Sequence, residues 1–239
     1  MSSIQQNIEH ITSQIESALQ KCGRPRESVQ LLAVSKTKPI EAILEAAQGG
    51  QRTFGENYVQ EGVDKVKHFN EEHAELDLVW HFIGPIQSNK TRLVAEHFDW
   101  VHTIDRAKTA QRLNDQRPAD MPPLQVLIQI NTSGEASKSG ISDDEIFSLA
   151  ELISSLPNLT LRGVMSIPAN VPDYTSQLNE FEKLALLQSQ LSDKYNDIDT
   201  LSMGMSGDMD AAIHAGSSMV RIGTAIFGAR DYINTKSSS

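Results

Sequence analysis

Eight times along its 239 residues, the chain sets a short apolar run before a stretch with helical spacing, and this alternation constrains its fold more than any other feature. The runs cover positions 31–34, 53–54, 78–83, 100–104, 124–130, 161–165, 200–203 and 219–222, each short enough and apolar enough to be a buried strand. Between them, sets such as Ile146, Leu149, Leu152 and Leu156, or Leu178, Phe181, Leu184 and Leu191, recur at helical intervals. Near-continuous apolar strands alternating with amphipathic helices predict an α/β fold with a parallel sheet. About eight such units favour closure into a (β/α)8 TIM-type barrel over an open sheet. Ahead of the first run, Ile4, Ile8, Ile11, Ile15, Leu19 and Cys22 form one helical stripe that Gly23 and Pro25 end, so an N-terminal helix precedes the barrel. No internal linker interrupts the pattern. Residues 1–239 are expected to form one barrel domain, with a disordered tail at 236–239.

Composition narrows the partners. With 39% hydrophobic residues the chain has enough apolar surface for a core, yet no run is long enough to span a bilayer. Thirty-one acidic against 21 basic residues give a formal charge of -10, which argues against broad binding to nucleic acid or to anionic membrane. Any anion site must therefore be local. Cys22 is the one cysteine, no leader pattern opens the chain, and a cytoplasmic monomer is expected.

In such a barrel the chemistry lies at the C-terminal strand ends, whose loops meet at one mouth. Those ends carry Lys36 and Lys38, Glu56 and Asn57, His81, His102, Asn131, Ser166, Ser202 to Ser206, then Arg221, Gly223 and Thr224. Lys36 directly follows the run LLAVS, where burial would lower its pKa toward the neutral, Schiff-base-forming amine; a stem snorkelling to the rim is the alternative. Period-two alternation turns Arg221 toward the barrel interior with Met219 and Gly223. Gly223 and Thr224 then open a turn suited to a phosphate, and Ser202, Gly204 and Ser206 do the same before the next helix. Ser206 is equally readable as an ordinary N-cap.

Four motifs bring these residues into a known pattern: LLAVSKTKP, FGENYVQE, WHFIGPIQSNK, and the terminal pair SMGMSGDM and VRIGTAIFG. With them the chain resembles the pyridoxal phosphate homeostasis proteins, PLP-binding barrels similar to the N-terminal domain of alanine racemase. The resemblance runs nearly end to end. It implies that pyridoxal 5′-phosphate (PLP) is held as a Schiff base on Lys36, that Arg221 faces the pyridine nitrogen, and that Ser206, Gly223 and Thr224 hold the phosphate. Asn57 and Ser202 follow as neighbours of ring and phosphate.

Other polar residues carry weaker signals. His81 and His102 read as core or rim histidines, and His10, His68, His73, His97 and His214 as surface groups; no Cys/His spacing supports a metal site. Lys38 and Lys138 read as solvated loop lysines, and Met203 and Met205 as packing. No catalytic residue is assigned. An arginine at the ring nitrogen disfavours the protonated electron sink that amino-acid chemistry uses, and racemisation needs a second base on the opposite face. Few residues follow Arg230, so the further domain that supplies that base in alanine racemases is expected to be absent, leaving Tyr232 alone there. The expectation is a carrier or regulator in vitamin B6 and amino-acid balance, with PLP-dependent apoenzymes as cofactor acceptors. The alternatives are a PLP-dependent racemase and a Schiff-base aldolase acting on a phosphorylated sugar.

Overall fold

The computed structural model describes residues 3–136 and 139–229. The tail at 236–239, Lys138 and Tyr232 lie outside the described residues. The chain opens with helix α1 (Ile4–Lys21), whose first turn is closed by a reciprocal Ser3 and Gln6 capping box. There follow β1 (Gln30–Val34), α2 (Ile40–Gln48), β2 (Thr53–Glu56), α3 (Val59–Glu72), β3 (Val79–Phe82), α4 (Thr91–His97), β4 (Trp100–Ile104) and α5 (Ala107–Gln116). The second half runs β5 (Leu124–Gln129), α6 (Ile146–Ser155), β6 (Leu159–Met165), α7 (Tyr174–Ser192), β7 (Thr200–Ser202), α8 (Met209–Ala215), β8 (Met219–Ile222) and α9 (Thr224–Phe227).

The eight strands pair in sequence order, all parallel, and β8 returns to β1 to close the barrel. Closure by β8 pairs Leu32 with Arg221 and Ala33 with Ile222. The main apolar core lies between strands and helices, where Phe54, Phe69 and Trp80 meet with ring centroids 5.6 and 5.7 Å apart. A second, smaller cluster of Leu32, Val34, Ile83 and Met219 lies inside the barrel. That cluster fixes the facing of β1: Leu32 and Val34 point inward, so Lys36 continues the inward row while Ala33 and Ser35 face the helices. Helix α1 packs beside α8 and α9, where Asn7 Nδ2 donates to the Ile226 carbonyl at 2.8 Å.

Several local expectations change. β2 continues through Gly55 and Glu56, and a Cβ at Gly55 would sit a tight 3.2 Å from both Leu32 and Ile83. The N-cap of α8 is Asp208, not Ser206; its carboxylate accepts the Met205 amide at 2.7 Å. Met203 is fully buried, whereas Met205 is an exposed rim residue. Lys38 is not simply solvated, because its Nζ donates to the Ala229 carbonyl at 2.7 Å and ties the loop after β1 to the segment after α9.

Candidate functional site

The mouth of the barrel is built on β1 and β8. Lys36 is half-buried in the turn two residues beyond the end of β1, on the mouth side of Leu32, which pairs with Arg221. Arg221 is 5% exposed. Its Nη1 donates to Ser202 Oγ at 2.6 Å and its Nη2 to the Ser166 carbonyl at 2.9 Å, so the side chain crosses the interior toward β7 and β6. Both acceptors are neutral. Burial pushes the arginine's pKa down to about 10, partly offset by the charge of Asp208 acting through space. A buried cation with neutral partners is poorly compensated within the protein, and it suits an electron-rich or anionic ligand.

Beneath Arg221 a chain of polar groups runs down the interior. Ser202 Oγ lies 3.0 Å from His102 Nδ1, and His102 Nε2 lies 2.8 Å from His81 Nδ1. The His81 ring stacks on Trp100 at 5.1 Å, and Arg162 covers that indole at 4.9 Å while pairing with Asp199. Burial holds the His81 pKa down at about 3. His102 is also pushed well below the usual histidine range, by burial first and then by His81 and Arg221. Both rings are therefore neutral, and the reading of satisfied core histidines holds only in part, because His81 Nε2 has no partner.

The remaining expected residues divide by position. Asn57 follows β2 and is half-buried, with its Oδ1 buried and unpartnered. Its backbone is fixed by Gly84, where a Cβ would come within 2.1 Å of the Asn57 carbonyl; this gives the motif WHFIGPIQSNK a physical task. Gly223 and Thr224 begin α9, a single turn in which the Ile226 and Phe227 amides donate to the Gly223 carbonyl. A Cβ on Gly223 would press on Val34 at 3.3 Å, so glycine lets β8 stay close to β1. Ser206 is exposed and lines a cavity of about 390 Å³ between α1 and the start of α7; neither Lys36 nor Arg221 lines that cavity. Ser202 lies one layer below Arg221 and is engaged by Arg221 and His102.

Two groups received no role from the sequence. Ser166 and Thr132, just beyond β6 and β5, each hold a buried hydroxyl without a partner. A buried cluster of Lys65, Glu56 and Glu61 lies behind the Lys36 turn, with Lys65 Nζ 2.7 Å from Glu56 Oε1 and 2.8 Å from Glu61 Oε1. Ser166 was visible at a strand end. Lys65 carries no local sequence signal that marks it as buried.

A closed parallel barrel with a lysine at the rim of β1 and a buried arginine on β8 defines the class of the alanine racemase N-terminal barrel. The family model described as alanine racemase, N-terminal domain, matches residues 6–231. Within that class the chain belongs to the pyridoxal phosphate homeostasis protein family. It is 77% identical to the pyridoxal phosphate homeostasis protein of Vibrio cholerae, across 97% of this chain and 98% of that one. It is 60% identical to the protein of the same name in Escherichia coli K12, across 97% and 99%. The PipY structure from Synechococcus elongatus, solved with PLP bound, superposes with a TM-score of 0.80 at 32% identity, covering 95% of this chain and 100% of that one. No described helix is long and apolar enough to cross a membrane.

Proposed function

We propose that this chain binds PLP at the barrel mouth, as a Schiff base on Lys36, and serves PLP and amino-acid homeostasis in the cytoplasm as a monomer with little or no catalysis of its own. Family membership supports the cofactor. The observation that carries the site is Arg221, a buried guanidinium on β8 with only neutral acceptors, on the strand paired to the one that leads into Lys36.

The residues fit the group. Asn57 Oδ1, Thr132 Oγ1 and Ser166 Oγ are buried near the strand ends without protein partners, which a polar aromatic ligand would relieve. Arg221 would face the pyridine nitrogen; as a permanent cation it donates to that atom and keeps it unprotonated. The Thr224 hydroxyl and the amides that open α9 at Gly223 would take the phosphate, with Ser206 from the neighbouring loop. Asn57 would lie beside the ring, and Ser202 acts from below by holding Arg221. When bound, PLP supplies an aldehyde that condenses with amines and a ring that accepts electron density. Transfer to PLP-dependent apoenzymes would follow from an imine that small amines can reach.

The test is intact mass before and after borohydride reduction, with peptide mapping. One pyridoxyl phosphate group on Lys36 is expected. A reduced adduct chiefly on Lys38 or Lys138, or none on a protein purified with added PLP, overturns the assignment.

A further inference from the structure

The residue after Lys36 has an unusual backbone. Thr37 is β-branched and has φ of 64°, the left-handed region that such residues avoid. Something must hold it there. Its amide donates to Glu61 Oε1 at 2.6 Å, and on the other side of Lys36 the Ser35 carbonyl accepts Lys65 Nζ at 2.7 Å. The same ammonium binds Glu56 Oε1 and Glu61 Oε1, and Ser35 Oγ donates to Glu56 Oε1 at 2.8 Å. Lys65 and Glu61 share one face of α3 at i and i+4, while Glu56 ends β2. Lys65 is 5% exposed and Glu56 fully buried. The peptide units flanking Lys36 are thus fastened to two elements by one charge cluster.

A buried ion pair contributes little net stability compared with apolar packing, whereas it fixes geometry well. An apolar residue at position 65 would extend the stripe formed by Val63, Val66 and Phe69. We propose that Lys65, Glu61 and Glu56 are positioning residues for Lys36: they impose the left-handed turn at Thr37 that aims the amine into the mouth. This rests on the reading of Lys36 as the attachment point. A lysine whose backbone can swivel spends less time in reach of a bound aldehyde, so the clamp sets how fast the imine forms more than how tightly the phosphate is held.

Glu61→Ala is the probe, because Glu61 is partly exposed and its loss leaves the Lys65 and Glu56 pair in place. In the full-length apoprotein, hydrogen exchange at the Thr37 amide should accelerate. The rate at which added PLP becomes borohydride-fixable on Lys36 should fall on the order of tenfold. Thr37→Gly should restore that rate in the double variant, since glycine adopts the left-handed turn without enforcement, while amide exchange stays fast. A capture rate in Glu61→Ala equal to wild type, or a loss that Thr37→Gly does not rescue, overturns the proposal. If the wild type itself gives no Lys36 adduct, the binding reading fails instead. Lys65→Met combined with Glu56→Gln repeats the test from the buried side: slow capture rescued by Thr37→Gly supports the clamp, and undiminished capture overturns it.

Discussion

Arg221 Nη1 and Ser202 Oγ, on neighbouring strands, lie 2.6 Å apart, and this contact sets the direction of every hydrogen bond below it. The guanidinium can only donate, so the Ser202 oxygen accepts, and with no other acceptor among the described residues its single proton turns to His102 Nδ1. His102 then carries its hydrogen on Nε2 and gives it to His81 Nδ1, leaving the His81 hydrogen on the unpartnered Nε2. Every donor points away from the cation. The opposite order would leave the Ser202 proton with no acceptor among the described residues.

This arrangement predicts two neutral Nε2–H imidazoles, visible by nitrogen-15 NMR. It also predicts acid sensitivity. The folded His81 pKa of about 3 lies below its ordinary 6.5, so between those values the unfolded chain binds a proton that the folded one refuses. The contribution is complete above pH 6.5 and is lost as pH falls toward 3. For one imidazole the loss between pH 6.5 and 5 is up to about 2 kcal/mol. Urea unfolding should show this in the wild type and a clearly smaller pH dependence in His81→Gln. Identical pH profiles for the two proteins would refute the assignment.

A second prediction concerns Lys65. Removing one partner of a buried pair strands the other, so Lys65→Met should cost about 3 to 5 kcal/mol at neutral pH. Adding Glu56→Gln should recover part of that loss, because the amide keeps an acceptor for Ser35 without a buried charge. Denaturant midpoints and slopes decide; a loss below about 1 kcal/mol in the single variant would mean that water reaches Glu56 freely.

The barrel itself was legible because short, mostly apolar runs alternate with amphipathic helical stretches. Positions 100–104 and 219–222 match β4 and β8 residue for residue. β2 was read short because Gly55 and Glu56 do not look like strand residues. Glycine is there for close packing, and Glu56 is buried only because Lys65 reaches it from α3. In VDKVKHF nothing local distinguishes that lysine from a solvated one. The interior facing of Arg221 followed from period-two alternation, but the join from Arg221 through Ser202 to His102 and His81 includes a bonded pair 100 residues apart in sequence and exists only once the barrel closes. The start of α8 escaped for a different reason: Ser206 and Asp208 are both capping residue types, and the helix begins after Asp208, whose carboxylate accepts the upstream Met205 amide rather than a helix amide.

The phosphate grip gives a third prediction. Ser206→Ala with Thr224→Ala should weaken PLP retention by at least tenfold, since a charge-assisted hydrogen bond contributes roughly 1.5 to 3 kcal/mol. Pyridoxal, which lacks the phosphate, should bind poorly to the wild type. Equilibrium dialysis with both vitamers measures this. Equal affinities would move the anion site away from these turns. Because Ser206 is exposed beside the outer cavity, Thr224→Ala alone should account for most of the effect.

The fourth prediction is negligible turnover of free amino acids. Racemisation at an amino-acid Cα needs bases on both faces of the substrate, and loss of the Cα proton is favoured by a ring nitrogen that carries a proton. In the proposed placement Arg221 would oppose the second condition, because a guanidinium facing that nitrogen donates to it and does not protonate it. For the first condition, most of the described histidines and tyrosines near the barrel are placed elsewhere. His81 and His102 are buried beneath Arg221 and bonded to each other. The Tyr174 hydroxyl is 2.6 Å from His214 Nδ1 at the start of α7, beside the outer cavity, and Tyr195 packs against the core. Tyr58, exposed after β2, is the one described tyrosine at the rim. Incubation of the PLP-loaded protein with L-alanine in deuterium oxide, followed by proton NMR, should show no Cα exchange above the rate of free PLP. Exchange near 10 per second, an ordinary enzymatic rate, would overturn the carrier reading. If exchange at that rate disappeared in Tyr58→Phe, the rim tyrosine would be the second base and the protein a racemase-like enzyme.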